Sequence, residues 1–251
     1  MAIKNRDTLK NYFQRGSVIS EKQFVDLIDS SMNIIDNGID VNPEDGLRLN
    51  PTGMYSKILS FFERKSKTNA NYSIKINDRN IEGLSVNNSN DKSLLKISQD
   101  KIGVKTDEPI HDFHVNGVMA SKSRVGTYAF GNVPANGKWH KITKKLDGIN
   151  IFEVVATASG EINSGNYSAL NAIVLSTFGG SKSRNKIKVL NAYWNEYGLL
   201  GKLFSKRKIK IRWSGTLHNY FLELKTSGDW TINPKTNNPY DINFNVTRLN
   251  T

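Results

Sequence analysis

Between residues 72 and 105 the chain carries four apolar runs that are too short to bury a core of their own. They are Tyr72–Ile76, Leu84–Val86, Leu94–Ile97 and Lys101–Val104, and Asn, Asp or Gly residues bound each of them. Such short alternating runs predict short β-strands. Because a two-stranded ribbon is only marginally stable in water, we expect several chains to share one core here, as in a fibrous β shaft. A small irregular meander within one chain is the alternative.

Composition removes several classes of protein. The chain of 251 residues has no cysteine, which excludes disulfide modules, zinc sites with Cys ligands and thiol enzymes. No apolar run approaches the ~18 residues of a membrane span, so no span is expected. Residues 1–15 lack the apolar core of a secretory signal peptide, and none is expected there.

The positive charge is concentrated in the second half of the chain. Residues 1–134 hold 18 Lys and Arg against 16 Asp and Glu, for a net charge of +2, whereas residues 135–251 hold 17 against 7, for +10. This asymmetry predicts a module boundary and an acidic partner for the second half, either nucleic acid, an anionic cell-surface polymer or an acidic protein face. A solubilising surface without a specific partner is the alternative.

The N-terminal segment has the pattern of an amphipathic helix. Ser20 and Gln23 have the spacing of a capping box, which predicts a helix over Glu21–Asp36 that ends at Asn37-Gly38. Its apolar stripe consists of Phe24, Leu27, Ile28, Ser31 and Ile35. A shorter helix with Asp7 as its cap is expected before it. Since two short helices do not cover each other's stripes completely, we expect them to meet copies of themselves or a docking surface. An ordinary helical cap over the next domain is the alternative.

Turn residues and strand patterns fill most of the remaining chain. The segment 37–50 is rich in turn residues and is interpreted as a linker, and Lys57–Glu63 is predicted to be a strand. In the second half, apolar runs at regular intervals predict an antiparallel β-sandwich. Its expected strands are Asn150–Thr157, Leu170–Thr177, Lys186–Tyr193, Lys206–Trp213, Tyr220–Thr226 and Ile242–Leu249.

Two rows of cations follow the period of a β-strand. Lys206, Lys208, Lys210 and Arg212 alternate with Arg207, Ile209, Ile211 and Trp213, and Lys182, Arg184, Lys186 and Lys188 show the same spacing. The first row is the candidate binding site for an acidic ligand. An exposed strand guarded by lysines against edge pairing is the alternative. Nucleic-acid binding is not expected, because no recognition helix or aromatic platform interleaves with the cations.

Catalytic chemistry is not expected. His140, Glu153 and His218 are the only plausible acid–base set, with Ser176 or Ser214 as notional nucleophiles, but no Gly-x-Ser-x-Gly elbow is present. No metal site and no cofactor are predicted. Three copies of His114 near the axis of a trimer are one arrangement that would bind an ion.

The segment after the short runs contains an unusual string. It reads Ile102-Gly-Val-Lys-Thr, then Pro109, then Phe113-His-Val-Asn-Gly117, then Ser121. This resembles the "IGIGT-x-x-P-x-x-x-L-x-VNG-x-x-x-S" segment of trimeric phage tail-fibre and surface-fibre proteins, with Val104 and Phe113 as apolar departures. Asn116-Gly117 also predicts a tight hairpin. The resemblance implies a homotrimeric shaft followed by a distal domain, with Phe113, Val115, Asn116 and Gly117 at the trimer contact.

Both ends of the chain have resemblances of their own. Phe13, Gly16 and Ser20, followed by Gln23-Phe24 and Leu27-Ile-Asp-Ser30, resemble the start of proteins from tailed phages and contractile injection clusters. That likeness implies attachment and trimer nucleation through Phe24, Leu27, Ile28 and Ile35. The second half is similar to C-terminal domains from the same clusters, which share its "VPA-x-G-x-WH-x-I", "FEVVA", "LSTFG" and "RW-x-G-x-x-HNY" strings, beginning at Val133, Phe152, Leu175 and Arg212.

Together these patterns predict a mainly β chain with N-terminal short helices, a trimeric β shaft and a C-terminal antiparallel β-sandwich. The expected domains are residues 1–45, 46–124 and 125–251. The expected function is a non-enzymatic structural subunit of a phage tail or tail-like contractile injection particle. We expect assembly in the cytoplasm and a final location on a virion or extracellular particle. A receptor-binding fibre head that grips acidic cell-surface glycan is the alternative.

Overall fold

The protein is mainly β, as the sequence predicts, and it divides into two compact units, Met1–Ala120 and Ser121–Thr251. The computed structural model describes residues 4–51, 56–64, 68–78, 81–161, 165–177, 184–194, 205–230, 232–233, 237 and 239–250, without the side chains of residues 34 and 35.

Three short helices open the first unit: α1 (Arg6–Tyr12), α2 (Glu21–Asp29) and α3 (Ile34–Asn37). The capping box is confirmed, since the Gln23 side chain accepts from the Ser20 amide at 2.8 Å and Ser20 Oγ accepts from the Gln23 amide at 3.4 Å. The prediction of one helix to residue 36 was wrong. The Ser30 and Ser31 hydroxyls donate to the carbonyls of Asp26 and Leu27, and such local bonds compete with helix continuation.

The predicted cap of the first helix and the predicted linker also differ from the structure. Asn5, rather than Asp7, caps α1 and accepts from the Thr8 amide at 2.9 Å. The segment taken as a linker forms an antiparallel hairpin of β1 (Ile39–Asn42) and β2 (Gly46–Leu49). Asn42 Oδ1 accepts from the amides of Glu44 and Asp45, so the turn chemistry read as a linker closes a hairpin instead.

A six-stranded sheet makes up the rest of the first unit, with its strands in sequence order. The strands are β3 (Lys57–Phe61), β4 (Tyr72–Ile76), β5 (Leu84–Asn88), β6 (Ser93–Ile97), β7 (Ile102–Val104) and β8 (Phe113–Val115). Neighbours are antiparallel except β7 and β8, which are parallel. The hairpin predicted at Asn116-Gly117 was wrong: residues 118–128 are all described and contain no strand, and Asn116 instead donates its amide to the Val104 carbonyl.

The second unit is an antiparallel β-sandwich, as predicted. Its strands are β9 (Ala129–Pro134), β10 (His140–Lys141), β11 (Ile149–Ser159), β12 (Tyr167–Thr177), β13 (Lys186–Tyr193), β14 (Ile209–Thr216), β15 (Asn219–Thr226) and β16 (Asp241–Arg248). One sheet has the order β13-β12-β11-β16-β9 and the other β10-β15-β14. The core lies between them and includes Phe152, Val174, Leu222, Leu224 and Ile242, none of which exposes more than a trace of surface.

Alternation explains the long strands of the sandwich. In β11, Asn150, Phe152, Val154, Ala156 and Ala158 are buried, and the residues between them face outward. A period of two is the signature of a sheet with one covered face. The predicted strand over Lys206–Trp213 is shifted, because β14 begins only at Ile209, the first residue there that enters the core.

Candidate functional site: an apolar and a basic sheet face

The six-stranded sheet leaves its apolar side open. One cross-strand row runs Leu59–Ile74–Val86–Leu95–Val104–Val115, and a second runs Ile76–Leu84–Ile97–Ile102–Phe113. Seven side chains on this side, Leu59, Phe61, Tyr72, Ile76, Ile97, Ile102 and Phe113, are 39–57% exposed. We call the two rows with Phe61 and Tyr72 the apolar sheet face. It carries no charged residue at any of these positions.

The polar residues of the same strands lie on the covered side. Lys75, Ser85, Lys96, Gly103 and His114 form one cross-strand row there. Lys75 is 4% exposed and Lys96 only 2%. The sheet is therefore inverted relative to an ordinary soluble one, in which the apolar side is covered.

Hydrogen bonds and ion pairs make this burial of cations tolerable. Lys75 Nζ lies 2.7 Å from Asp91 Oδ2 and 3.1 Å from Asp78 Oδ2, and Lys96 Nζ donates to the Ile81 carbonyl at 3.0 Å. Burial alone lowers the pKa of Lys75, but the bonds to Asp91 and Asp78 outweigh it and leave that pKa raised. The charge of Lys75 is thus paired within the chain, whereas the described residues leave the apolar sheet face partly exposed.

The residues of the fibre-like string divide between the two sides. Phe113 and Val115 end the two apolar rows, with Phe113 exposed and Val115 half-buried. Asn116 and Gly117 follow in an exposed segment. His114 lies on the opposite side, beside Gly103, and so faces away from the apolar rows. Among the described residues no cluster of three or more metal-ligating side chains occurs.

The N-terminal helices expose much of the predicted stripe. Phe24 and Ile28 are exposed and Leu27 is half-buried, while the side chain of Ile35 lies outside the described residues. Phe13 packs edge-on against Phe24, with ring centroids 6.3 Å apart. The Tyr12 hydroxyl donates to Asp26 Oδ2 at 3.2 Å, and burial together with this bond and the Asp26 charge raises the pKa of Tyr12. The helices pair with each other but leave an apolar patch uncovered.

The predicted cation row is split at the start of β14. Lys206 is exposed in a turn, and Lys208 is half-buried with its Nζ 5.9 Å from the Tyr193 ring centroid. Only Lys210 and Arg212 lie within the strand, where both face outward. In the second row, Lys182 lies outside the described residues and Lys186 and Lys188 are exposed on β13.

Residues from two other strands join Lys210 and Arg212. Lys225 of β15 lies opposite Lys210, and Glu223 lies opposite both Arg212 and Lys141. We call this outer side of the β10-β15-β14 sheet the basic sheet face. It consists of Lys141, Lys210, Arg212, Phe221, Glu223 and Lys225, with Trp139 adjoining. With four cations and one carboxylate, it has a formal charge of +3.

Aromatic rings do interleave with these cations, contrary to the expectation from the sequence. The Arg212 guanidinium lies 4.3 Å and Lys225 Nζ 4.8 Å from the Trp139 ring centroid, and Lys141 Nζ lies 3.8 Å from that of Phe221. All three distances fall within the range of cation–π attraction. Trp139 and Lys225 are distant in sequence, so strand pairing alone brings them together, and no local pattern signals it.

The acid–base candidates each contact a different neighbour. His140 Nε2 lies 2.8 Å from Asn136 Oδ1, and Glu153 pairs with Arg124 and accepts from Asn171. His218 Nδ1 lies 2.8 Å from Asp147 Oδ1, and this hydrogen bond is the main cause that lowers the pKa of Asp147. His140 and Glu153 belong to different sheets, so the structure does not assemble the three into one site.

Ser176 and Ser214, the notional nucleophiles, also lie apart. Ser176 is buried on β12 and donates to Asn185 Oδ1 at 3.0 Å, whereas Ser214 is half-buried on β14 of the other sheet.

No helix within the described part of the chain is long and apolar enough to cross a membrane. No protein-family model matches the sequence, and no curated protein is significantly similar to it.

Proposed function

We propose that the chain is a non-enzymatic structural subunit of a phage tail or phage-tail-like contractile injection particle and acts as a homotrimer. The apolar sheet face is the observation that carries this proposal. A monomer would leave seven aliphatic and aromatic side chains of this face 39–57% exposed to water, while it buries lysines on the other side of the same sheet. Contiguous exposed patches of this kind mark interaction surfaces.

Copies of the same chain are the occupant that fits this face best. Its rows contain no charge, so they offer nothing to an acidic or basic partner, and identical apolar rows are mutually complementary. Three copies are proposed because residues 102–121 resemble the shaft segment of trimeric fibre proteins. In that arrangement the apolar sheet faces of the three copies share one core.

The uncovered patch on α1 and α2 is the proposed attachment point to other subunits of the particle. Phe24 and Ile28 are exposed on one helix, and Phe13 extends the patch onto the other. Assembly in the cytoplasm and a final location on the virion or extracellular particle follow from this role.

The mass of the full chain in solution tests the trimer. A trimer of 28.2 kDa chains has a mass of about 85 kDa, which sedimentation equilibrium or light scattering resolves from a monomer or a dimer. A monomer at micromolar concentration would refute the proposal. Electron microscopy of purified particles that carry a tagged chain tests the location, and recovery of the tag only outside particles would refute that part.

A second candidate function is a receptor-binding fibre head that grips acidic cell-surface glycan. The predicted residues for it are Lys206, Lys208, Lys210 and Arg212. The concentration of cations on the outer side of the sandwich favours it, and it is compatible with a trimeric structural subunit.

A further inference from the structure

We infer that the basic sheet face is a binding site for acidic polysaccharide, centred on Trp139, Arg212 and Lys225 rather than on the row Lys206–Arg212. The inference rests on the second candidate function, whose site it relocates to other residues. It does not depend on trimer formation, because every residue of the site belongs to one chain.

The basic sheet face contains an unfavourable pair of like charges. Lys210 and Lys225 are directly opposed on neighbouring antiparallel strands. Like charges in this position destabilise a sheet. Within the part of the chain that the structure describes, neither lysine forms an ion pair, and neither does Lys141. An anionic group bound between Lys210 and Lys225 would remove the repulsion.

Contacts within the chain hold the cations of this face in place before a ligand binds. Arg212 donates its Nε to Glu223 Oε2 at 2.8 Å, and its guanidinium packs on Trp139. Both terminal nitrogens of Arg212 are left without a hydrogen-bond partner among the described residues. Lys225 and Lys141 are placed over aromatic rings in the same way. Fixed side chains lose less conformational entropy on binding than free ones, so these donors favour an anion more than mobile surface lysines do.

Glu223 acts as a positioning residue in this site. It is 8% exposed and lies between Lys141 on one side and Arg212 on the other. Its carboxylate fixes the orientation of the arginine but cancels only one of the four positive charges. The remaining charge of +3 lies on a flat sheet surface, which suits repeated acidic groups along an extended polymer.

Acidic polysaccharide is favoured over nucleic acid because cations already pack against the aromatic rings of this face. Single-stranded nucleic acid binds by stacking bases on free aromatic faces, but cations already pack on Trp139 and Phe221 here. The described residues of the second unit contain no helix that would enter a duplex groove. Carboxylate or sulfate groups on sugars need no free aromatic face, because they bind the Lys and Arg donors directly.

The test measures binding of the full chain to sulfated dextran, polygalacturonate, neutral dextran and single-stranded DNA. Lys210→Gln/Lys225→Gln removes the opposed pair, and Lys186→Gln/Lys188→Gln is the matched control, which removes two exposed lysines from β13. The first variant is expected to keep or raise its melting temperature yet bind a charged dextran or the polyuronate at least tenfold more weakly. The control is expected to change by less than twofold. Sulfated dextran and polygalacturonate distinguish sulfate from carboxylate recognition.

Three results would overturn the inference. Equal losses in the two variants would show attraction to net charge without a site. Binding to neutral dextran as tight as to both acidic polymers, or to DNA at least as tight as to both, would give the site another ligand class. Sedimentation of both variants distinguishes a failure of this inference from a failure of the trimer proposal. Loss of polysaccharide binding with an unchanged mass leaves the structural proposal intact.

Discussion

If the chain forms the proposed trimer, a single acidic residue in the apolar sheet face should dissociate it without unfolding the chain. Ile97 lies in the middle of the row Ile76–Leu84–Ile97–Ile102–Phe113 and is 40% exposed in one chain. In Ile97→Asp, the carboxylate can therefore reach water in a monomer. In the trimer it would be buried with two copies of itself, and an unpaired buried charge costs several kcal/mol.

The expected loss can be set against the stabilisation that covering the face provides. Complete burial of an aliphatic or aromatic side chain contributes about 1.5–3 kcal/mol, so covering one that is already half-buried contributes about 1 kcal/mol. Seven such side chains give about 7 kcal/mol per chain before the entropy cost of association. Each chain would bury one carboxylate, which costs several kcal/mol and so removes most of that gain, and the three carboxylates of the proposed trimer would repel each other. Ile97→Asp should therefore sediment as a monomer at concentrations where the parent chain is expected to be trimeric.

Leu217→Asp is the matched control for this variant. Leu217 is 53% exposed in the turn between β14 and β15, far in sequence from the apolar sheet face, and its replacement adds the same charge. Far-ultraviolet circular dichroism should match the parent for both variants. The reasoning fails if Ile97→Asp remains a trimer, or if Leu217→Asp dissociates to the same extent.

Three further outcomes concern single interactions within each unit. Tyr220→Phe should lower the free energy of unfolding by about 2 kcal/mol, because the buried hydroxyl donates to Gly148 O and accepts from Asn150, both at 2.6 Å; urea denaturation measures this. Gly126→Ala should lower the melting temperature, since a Cβ there would lie 2.5 Å from the Val246 carbonyl carbon. The folded pKa of Asp147 lies below its usual 3.8. The stabilisation of the fold by the bond to His218 is therefore complete above pH 3.8 and is lost as the pH falls through the lowered pKa. In an NMR titration, His218→Ala should move the Asp147 midpoint upward, and an unchanged midpoint would contradict the assignment.

Local patterns were sufficient to predict many elements of this fold. β13 occupies Lys186–Tyr193, the range predicted from its alternation, and the Ser20–Gln23 capping box starts α2 where expected. These features depend on residues close in sequence. The helix end was missed because the Ser30 hydroxyl bonds back to the helix carbonyls, which competes with the apolar stripe that continues beyond it.

The orientation of the first sheet could not be predicted in the same way. Alternation identifies two faces but not which face is covered, and ordinary burial preferences would place Lys75 and Lys96 outside. The buried ion pair that reverses this depends on Asp91, which comes from the turn between β5 and β6. The basic sheet face was only half predicted, because its cations on β14 are adjacent in sequence while Lys141, Trp139 and Lys225 arrive through strand pairing.

The inverted sheet also affects how a newly made chain assembles. In the proposed trimer, each newly made copy would expose this apolar surface until two further chains bind, beside the outer edges that β3 and β8 present in the described sheet. Correct association of the chains then competes with non-specific aggregation, and dilution or slow synthesis changes the balance between the two. Soluble yield should consequently depend on how quickly neighbouring ribosomes on one message release their products.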